Sequence, residues 1–168
     1  MKKLTFWLLT LCLVMVLAGC ADSDATLISP FTCYYPLQEY SFGIHDQILA
    51  SQQLEGAGHD GDFSWLIGAY LQSAPPEKAS TFPKELNLVN WTIDDETLTL
   101  TFTDPLAFLH GVRLTTTCAA IARTCSQLIP CRYVVFTTES ALLNGENELT
   151  IDTETTLFLD DLAPETTE

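Results

Sequence analysis

Alternation of apolar and polar residues identifies a β-hairpin in the middle of the chain. Leu98, Leu100 and Phe102 alternate with threonines, which is the two-residue period of a strand with one buried face and one wet face. The preceding run Leu88–Ile93 supplies a partner strand, and the polar residues 94–97 lie between the two runs. The pattern therefore predicts two antiparallel strands joined by an acidic turn.

Four further segments have weaker strand patterns. They are residues 31–37, 44–54, 133–136 and 148–159. The first is aromatic and β-rich, and Pro36 restricts it to a sheet edge or places it at the end of its strand. Asn144–Gly145 is a turn signal that precedes the last segment.

Two other segments show the period of an amphipathic helix. The first begins after Asp62, whose carboxylate can accept hydrogen bonds from the first turn, and it ends at Pro75–Pro76. The second covers residues 114–128 and ends before Pro130. Their apolar stripes are Phe63, Leu66, Ile67, Tyr70 and Leu71, and Leu114, Cys118, Ile121, Ala122, Cys125 and Leu128. We therefore expect a single α+β domain, with a mixed or antiparallel sheet and two helices packed on one face.

The first twenty residues have the features of a bacterial lipoprotein leader. Lys2 and Lys3 precede an uncharged apolar run from Leu4 to Ala18, which is short for a membrane-spanning helix and typical of a secretory signal peptide. The run ends in Leu17-Ala18-Gly19-Cys20, which resembles a lipobox. In a lipobox the cysteine thiol receives diacylglycerol and the chain is cut just before it. We therefore predict lipidation at Cys20 and anchoring at the outer face of the membrane.

This leader divides the chain into four parts. Residues 1–19 are the predicted signal peptide and residues 20–30 the lipidated N-terminus and its polar tether. Residues 31–160 are the predicted α+β domain, and residues 161–168 an acidic, disordered tail. A tether of this length keeps the domain close to the membrane surface.

Charge limits the partners of the exported domain. The formal net charge is −15, and removal of the leader would make it −17. Residues 139–168 contain nine acidic residues and no basic ones. Nucleic acid is an unfavourable partner, because binding it requires lysine and arginine to displace counterions. The simplest role of this charge is to keep the domain soluble and free of self-association.

Four cysteines remain after Cys12 leaves with the leader and Cys20 is lipidated. They are Cys33, Cys118, Cys125 and Cys131. In an exported domain they could form disulfides, but buried free cysteines are also common. Cys118 and Cys125 lie seven residues apart in the predicted second helix, about 10 Å along its axis, which is too far for a disulfide. Cys125 with Cys131, or Cys33 with either helix cysteine, stays open.

Few residues suggest catalysis or metal binding. The histidines are His45, His59 and His110, and they form no H-E-x-x-H motif. Cys118, eight residues after His110, is the best candidate nucleophile, but its place on an apolar stripe favours an inert thiol. The cysteine spacings do not match a zinc knuckle, and the acidic segments 60–62 and 94–96 do not match a calcium loop. We expect no metal and no cofactor.

Five aromatic residues could line a sugar-binding or peptide-binding face, although packing in the core is their more common use. They are Tyr34, Tyr35, Tyr40, Phe42 and Trp65.

Several short motifs between residues 31 and 138 resemble the GerMN domain of bacterial sporulation and germination lipoproteins. Tyr34-Tyr35 matches its opening strand, and Ser73-Ala74-Pro75 matches the proline segment after its first helix. Phe82-Pro83 matches the segment before its hairpin, and Phe102 matches the phenylalanine that ends the second hairpin strand. The resemblance implies the GerMN fold and an envelope setting, and it supplies no active-site residues.

These observations favour an extracytoplasmic lipoprotein with a non-catalytic domain that binds an envelope protein or peptidoglycan, in sporulation or germination. The alternatives are an envelope thiol peptidase or peptidoglycan hydrolase, and a ligand-binding lipoprotein that serves a transporter. The small size and single domain speak against the last of these.

Overall fold

The computed structural model describes residues 30–39, 48–56, 58–59 and 61–155. These residues form six strands, two α-helices and one short 3-10 helix. In chain order they are β1 (Phe31–Pro36), β2 (Leu49–Leu54), α1 (Phe63–Gln72), β3 (Leu88–Asp94), β4 (Thr97–Phe102), the 3-10 helix (Asp104–Phe108), α2 (Gly111–Leu128), β5 (Tyr133–Thr138) and β6 (Leu149–Asp152). The predicted leader, Cys20 and the acidic tail lie outside the described residues.

The larger sheet has four strands in the order β3-β4-β5-β6. β3 and β4 form the predicted hairpin, in which Ile93 lies opposite Leu98 and Trp91 opposite Leu100. β4 and β5 are parallel, so the chain must return to the same end of the sheet between them, and α2 forms most of this crossover. β5 and β6 are antiparallel, which makes the sheet mixed.

The inner face of this sheet and both helices share one hydrophobic core. The sheet contributes Leu98, Leu100, Phe102, Val134, Phe136 and Ile151, and all are buried. The predicted apolar stripe of α1 is buried in full, as are Leu114, Cys118, Ile121, Ala122 and Cys125 of α2. Each large apolar side chain that leaves water contributes about 1.5–3 kcal/mol to folding. Burial of these faces therefore holds the helices on the sheet.

β1 and β2 form a separate two-stranded antiparallel sheet. Side chains from both helices occupy the outer edge of β1. The Tyr34 N–H donates to Thr124 Oγ1 at 3.0 Å, and the Tyr34 carbonyl accepts from the Tyr70 hydroxyl. The Thr32 carbonyl accepts from the Gln127 amide at 2.8 Å. The backbone groups that another strand would pair are thus already hydrogen-bonded.

The ends of the two helices have different local causes. The Asp62 carboxylate accepts from the Trp65 N–H at 3.0 Å, which confirms the predicted N-cap of α1. α2 begins at Gly111, whose φ of +56° favours glycine. The turn at Asn144–Gly145 is also confirmed, with both residues at positive φ.

The predicted α+β class is confirmed, with mixed strand pairing and the predicted order of elements. Two details differ from the predictions. The strands form two sheets, and α2 starts three residues before Leu114. Within the predicted strand 44–54, the structure describes the strand Leu49–Leu54, while residues 44–47 lie outside the described residues. The last strand is Leu149–Asp152, while residues 156–159 of the predicted segment lie outside the described residues. The predicted boundaries of the domain stay predictions.

Candidate binding surfaces

The outer edge of β3 is the first candidate surface. β3 is an edge strand, and no strand within the described residues pairs with the side of it that faces away from β4. Two apolar side chains of β3 are exposed, Val89 by 47% and Ile93 by 43%. A β-bulge interrupts the register near Val89, between Leu88 and Asn90. Unlike β1, this strand therefore presents free backbone groups beside exposed apolar side chains.

Aromatic residues of α1 lie beside this edge. The Trp91 indole N–H donates to Ser64 Oγ at 3.1 Å, and the Trp91 ring lies 4.9 Å from that of Phe63. Trp65, which follows Ser64 in α1, is 40% exposed. The ring of His59 stacks on the Trp65 ring, with 3.6 Å between the centroids and an interplanar angle of 6°. We call Trp65, Val89, Trp91 and Ile93 the β3 face. Exposed apolar groups of this kind mark interaction surfaces more often than scattered single residues do.

The second candidate is an open cleft of about 550 Å³, lined by Gln38, Ser80, Thr81 and Arg113. We call it the Arg113 cleft. Gln38 follows β1, and its side-chain amide donates to the Ala79 carbonyl at 3.0 Å. The Ser80 N–H donates to the Pro36 carbonyl at 2.7 Å. These bonds fix the walls of the cleft relative to β1.

The charge of Arg113 is not balanced within the described residues. Arg113 lies in the first turn of α2, which contains no acidic side chain, and it forms no ion pair with any described residue. Arg132 provides a contrast, because its guanidinium lies 3.7 Å from the Asp152 carboxylate and 3.4 Å from that of Glu154. The Arg113 cleft therefore carries a local positive charge in an acidic protein.

The third candidate is a shallow cleft of about 800 Å³ that contains Cys131 and the paired Arg132. It is lined by Glu96, Ser126, Pro130, Cys131, Arg132, Thr153 and Glu154. The acidic residues already neutralise the guanidinium, and burial raises the pKa of the Cys131 thiol. The cleft therefore offers neither a free charge nor a reactive thiolate.

The four cysteines are free thiols in the structure. Cys33, Cys118 and Cys125 are fully buried, and burial raises the pKa of each, that of Cys33 to about 12. Cys131 is half-buried. Cys125 lies within electrostatic range of both Cys131 and Cys33, whose presence further raises its pKa. A disulfide among these cysteines stays a prediction.

The structure does not bring Cys118 and His110 together. His110 is the N-cap residue of α2, and Cys118 lies eight residues later, about 12 Å along the helix axis. Burial also raises the pKa of Cys118, which keeps the thiol protonated. A general base must lie within hydrogen-bond reach of its nucleophile, so this pair does not form a catalytic site.

The other candidate residues have structural roles or lie outside the described part. His45 and Asp60 are not among the described residues, and Asp62 caps α1. Asp95 adopts a positive φ of 49° in the hairpin turn. Across the described residues, no group of three or more histidine, cysteine or acidic side chains is arranged to hold a metal ion. No helix in this part of the chain is long and apolar enough to cross a membrane.

Three of the five aromatic residues considered for a binding face lie among the described residues. Tyr35 is buried in the core, and Tyr34 is half-buried with the Arg123 guanidinium 4.7 Å from its ring centroid. Trp65 is exposed, while Tyr40 and Phe42 lie outside the described residues. Of the five predicted residues, Trp65 alone is thus placed on a candidate surface by the described structure.

Sequence reasoning missed the remaining surface residues. Val89 and Ile93 belong to a strand that lies at the edge of the sheet, and the local sequence pattern does not indicate that position. The lining of the Arg113 cleft comes from three separate segments without a shared motif. The scarcity of basic residues was the one available signal that Arg113 is unusual.

A mixed four-stranded sheet, a separate two-stranded sheet and two helices define the described residues as an α+β domain. The structure is similar to the tandem GerMN domains of the sporulation protein GerM from Bacillus subtilis, with a TM-score of 0.53 and 17% sequence identity. The match covers 79% of this chain and 48% of that chain, so this protein spans about half of the tandem structure. The predicted GerMN-like fold is confirmed.

A second solved structure has a weaker similarity. It is a protein from Clostridium perfringens described as a candidate lipoprotein, with a TM-score of 0.46, 15% identity, and coverage of 76% of this chain and 91% of that one. Comparisons of the sequence with protein-family models and with curated proteins find no match.

Proposed function

We propose that the protein is a lipid-anchored, extracytoplasmic lipoprotein whose GerMN-like domain binds another envelope protein without catalysing a reaction. The leader ending in Leu17–Cys20 supports the anchor and the location. The similarity to GerM, a sporulation protein, supports sporulation or germination as the setting. That step is an analogy from fold to function.

The open outer edge of β3 is the observation that carries the binding proposal. An edge strand can accept an additional strand through its free N–H and carbonyl groups, while neighbouring side chains provide specificity. The edge of β1 is already occupied by Thr124, Tyr70 and Gln127. β3 lacks such partners among the described residues, and Val89 and Ile93 extend from it into solvent.

The partner that fits the β3 face is an extended segment with apolar and basic side chains. Exposed Trp65 and Ile93 and half-buried Trp91 offer apolar contact area, and aromatic side chains contribute strongly to protein interfaces. The hairpin turn at the end of β3 holds Asp94, Asp95 and Glu96, so basic residues on the partner would meet complementary charge. The formal charge of −15 disfavours a second copy of the same chain in this position.

The state of the thiols supports a non-catalytic role. An enzymatic thiol needs a lowered pKa and an adjacent base. Burial raises the pKa of every cysteine that the structure describes, and the structure separates Cys118 from His110.

The anchor is tested by replacing Cys20 with serine in cells grown with a labelled fatty acid. We expect the unmodified protein to carry the label and to sediment with membranes, and Cys20→Ser to lose the label. Cys12→Ser is the matched control, because Cys12 lies inside the predicted leader and should not affect labelling. Equal labelling of Cys20→Ser and the unmodified protein would exclude the anchor.

Binding is tested with the full-length processed protein in mild detergent, immobilised and exposed to envelope extract and, separately, to purified peptidoglycan. We expect a discrete protein partner whose retention weakens at high salt, because the proposed contact includes complementary charge. Ile93→Lys should reduce its retention by about tenfold or more, since a charge on the β3 edge opposes strand addition. Thr150→Lys, a charge on the exposed opposite edge strand β6, is the control.

Three outcomes would contradict the binding proposal. Equal retention by Ile93→Lys would exclude the β3 face, and no retained protein would remove the support for a partner. Retention of peptidoglycan alone would instead favour a cell-wall ligand.

A further inference from the structure

We propose that the Arg113 cleft binds the carboxylate end of a peptide. The inference extends the proposed binding function to a second surface. The carboxylate and the peptide group beside it would be recognised by the described lining residues, which are Gln38, Ser80, Thr81 and Arg113.

The unpaired guanidinium is the first argument. The chain has seven basic residues against 22 acidic ones, so Arg113 is one of few groups that can attract an anion. Arg132 pairs with Asp152 and Glu154, whereas Arg113 is exposed and forms no ion pair with a described residue. A guanidinium presents parallel N–H donors that match the two oxygens of a carboxylate.

The other lining groups match the atoms next to a peptide carboxylate. Gln38 uses one side-chain N–H on the Ala79 carbonyl and keeps its side-chain oxygen as an acceptor for a peptide N–H. The Ser80 hydroxyl donates to the Leu37 carbonyl at 3.3 Å, so its oxygen can still accept. Thr81 adds a second hydroxyl at the exposed rim.

Hydrogen bonds hold two of the lining residues, Gln38 and Ser80, in place before a ligand arrives. The Gln38 N–H donates to the Lys78 carbonyl at 2.9 Å, and an isolated bridge pairs Leu37 with Ala79. The loop that carries Ser80 and Thr81 is thereby attached to the end of β1. A site that is already ordered loses less entropy on binding.

The net charge of the protein favours a carboxylate over a more highly charged anion. A phosphate monoester carries close to two negative charges at neutral pH and is repelled more strongly by a chain with a formal charge of −15. A carboxylate carries one charge, which the single guanidinium can neutralise. The source of the carboxylate is either a peptidoglycan stem peptide or the C-terminus of a protein.

The test uses the full-length processed protein in detergent micelles and calorimetric titration with N-acetyl-alanyl-alanine. We expect the free acid to bind and the C-terminal amide to bind at least about tenfold more weakly, because the amide lacks the charge that Arg113 recognises. Arg113→Gln should weaken binding of the acid by about tenfold or more, and Arg113→Lys by less. Arg132→Gln is the control and should leave affinity unchanged.

Equal affinity for acid and amide, or unchanged affinity in Arg113→Gln, would overturn the inference. Thermal unfolding of Arg113→Gln, which replaces an exposed side chain, shows whether a loss of binding reflects a loss of folding. Peptidoglycan with free stem carboxylates, compared with its amidated form and with a linear protein-derived peptide, distinguishes the two sources.

The experiment is separable from the test of the β3 face. Arg113→Gln should still retain the envelope protein that Ile93→Lys fails to retain. Ile93→Lys should bind N-acetyl-alanyl-alanine with unchanged affinity. If no envelope protein is retained but the acid binds through Arg113, the proposed protein partner fails while this inference stands.

Discussion

Replacing Tyr70 with phenylalanine removes one hydroxyl from the junction between α1 and β1 and leaves the aromatic ring in place. The ring is fully buried and packs against Tyr35 and Phe82, with centroid distances of 5.3 and 5.0 Å. The hydroxyl donates to the Tyr34 carbonyl, which belongs to the outer edge of β1. The substitution therefore separates the hydrogen bond from the packing of the side chain.

The expected loss of stability comes from two terms. A typical buried hydrogen bond contributes about 1 kcal/mol net, and an acceptor left without a partner adds about 1–3 kcal/mol if no water reaches it. Tyr34 is half-buried, so water can restore part of the second term. We expect Tyr70→Phe to lower the free energy of unfolding by about 1.5 kcal/mol. Tyr70→Ala, which also removes the ring, should cost about 4 kcal/mol.

Urea denaturation followed by tryptophan fluorescence measures this loss. For an m-value of about 2 kcal/mol/M, the midpoint of Tyr70→Phe should fall by about 0.7 M. Tyr133→Phe is the matched control, because Tyr133 is half-buried and its hydroxyl forms no hydrogen bond with a described residue. If both variants shift the midpoint equally, the Tyr70 hydroxyl does not stabilise the edge of β1 and the reasoning fails.

Three further expectations follow from the buried and capping groups. In the processed protein unfolded without reductant, all four cysteines beyond Cys20 should react with a thiol reagent, and fewer than four reactive thiols would reveal a disulfide. In the folded protein, half-buried Cys131 should react slowly but faster than the three buried cysteines, because burial raises its pKa but leaves it partly accessible. Burial raises the pKa of Cys33 from 9.0 to about 12 and also raises that of Tyr70, so the free energy of unfolding should fall at alkaline pH. The stability that Cys33 contributes in its protonated form is complete below about pH 9 and is lost as the pH rises towards 12. A urea midpoint that stays constant from about pH 8 to about pH 11 would contradict this. The Asp104 carboxylate accepts from the Ser140 hydroxyl at 2.6 Å and from two backbone N–H groups, and these bonds lower its pKa below 3.8. The stability that the ionised carboxylate contributes is therefore present above pH 3.8 and is lost as the pH falls through the lowered pKa. Asp104→Asn should therefore speed amide exchange at Ser140, and unchanged exchange would show that other contacts hold this loop.

Local patterns predicted the elements that depend on neighbouring residues. The cap at Asp62 and the alternation of Leu98, Leu100 and Phe102 involve contacts within a few positions, so the sequence contains their full signal. The first turn of α2 was missed because Val112 and Arg113 face solvent there. An apolar period cannot mark a turn that buries no side chain.

Tertiary contacts determine what the sequence did not reveal. The outer edge of β1 is hydrogen-bonded to Thr124 and Tyr70, which lie far along the chain. The sequence of β1 alone does not show whether its edge bonds to such side chains or to another strand. The exposure of Ile93 likewise depends on the position of β3 in the sheet, not on its residue type. The Arg113 cleft is formed by polar residues of loops and a helix end, where no periodicity applies.

The contacts of α1 also determine how the domain would transmit force. If Cys20 is held in a membrane, tension enters the domain at Phe31, the first residue of β1. Through Tyr70, α1 is attached to the edge of that strand, and through Ser64 and Phe63 it is attached to Trp91 of β3. A partner that pulled on β3 would therefore load α1 between two strands of different sheets. Because forced unfolding depends on the unfolding rate, the contacts of this short helix would contribute to the mechanical strength of an anchored complex, together with the bonds from Thr124 and Gln127 of α2 to β1.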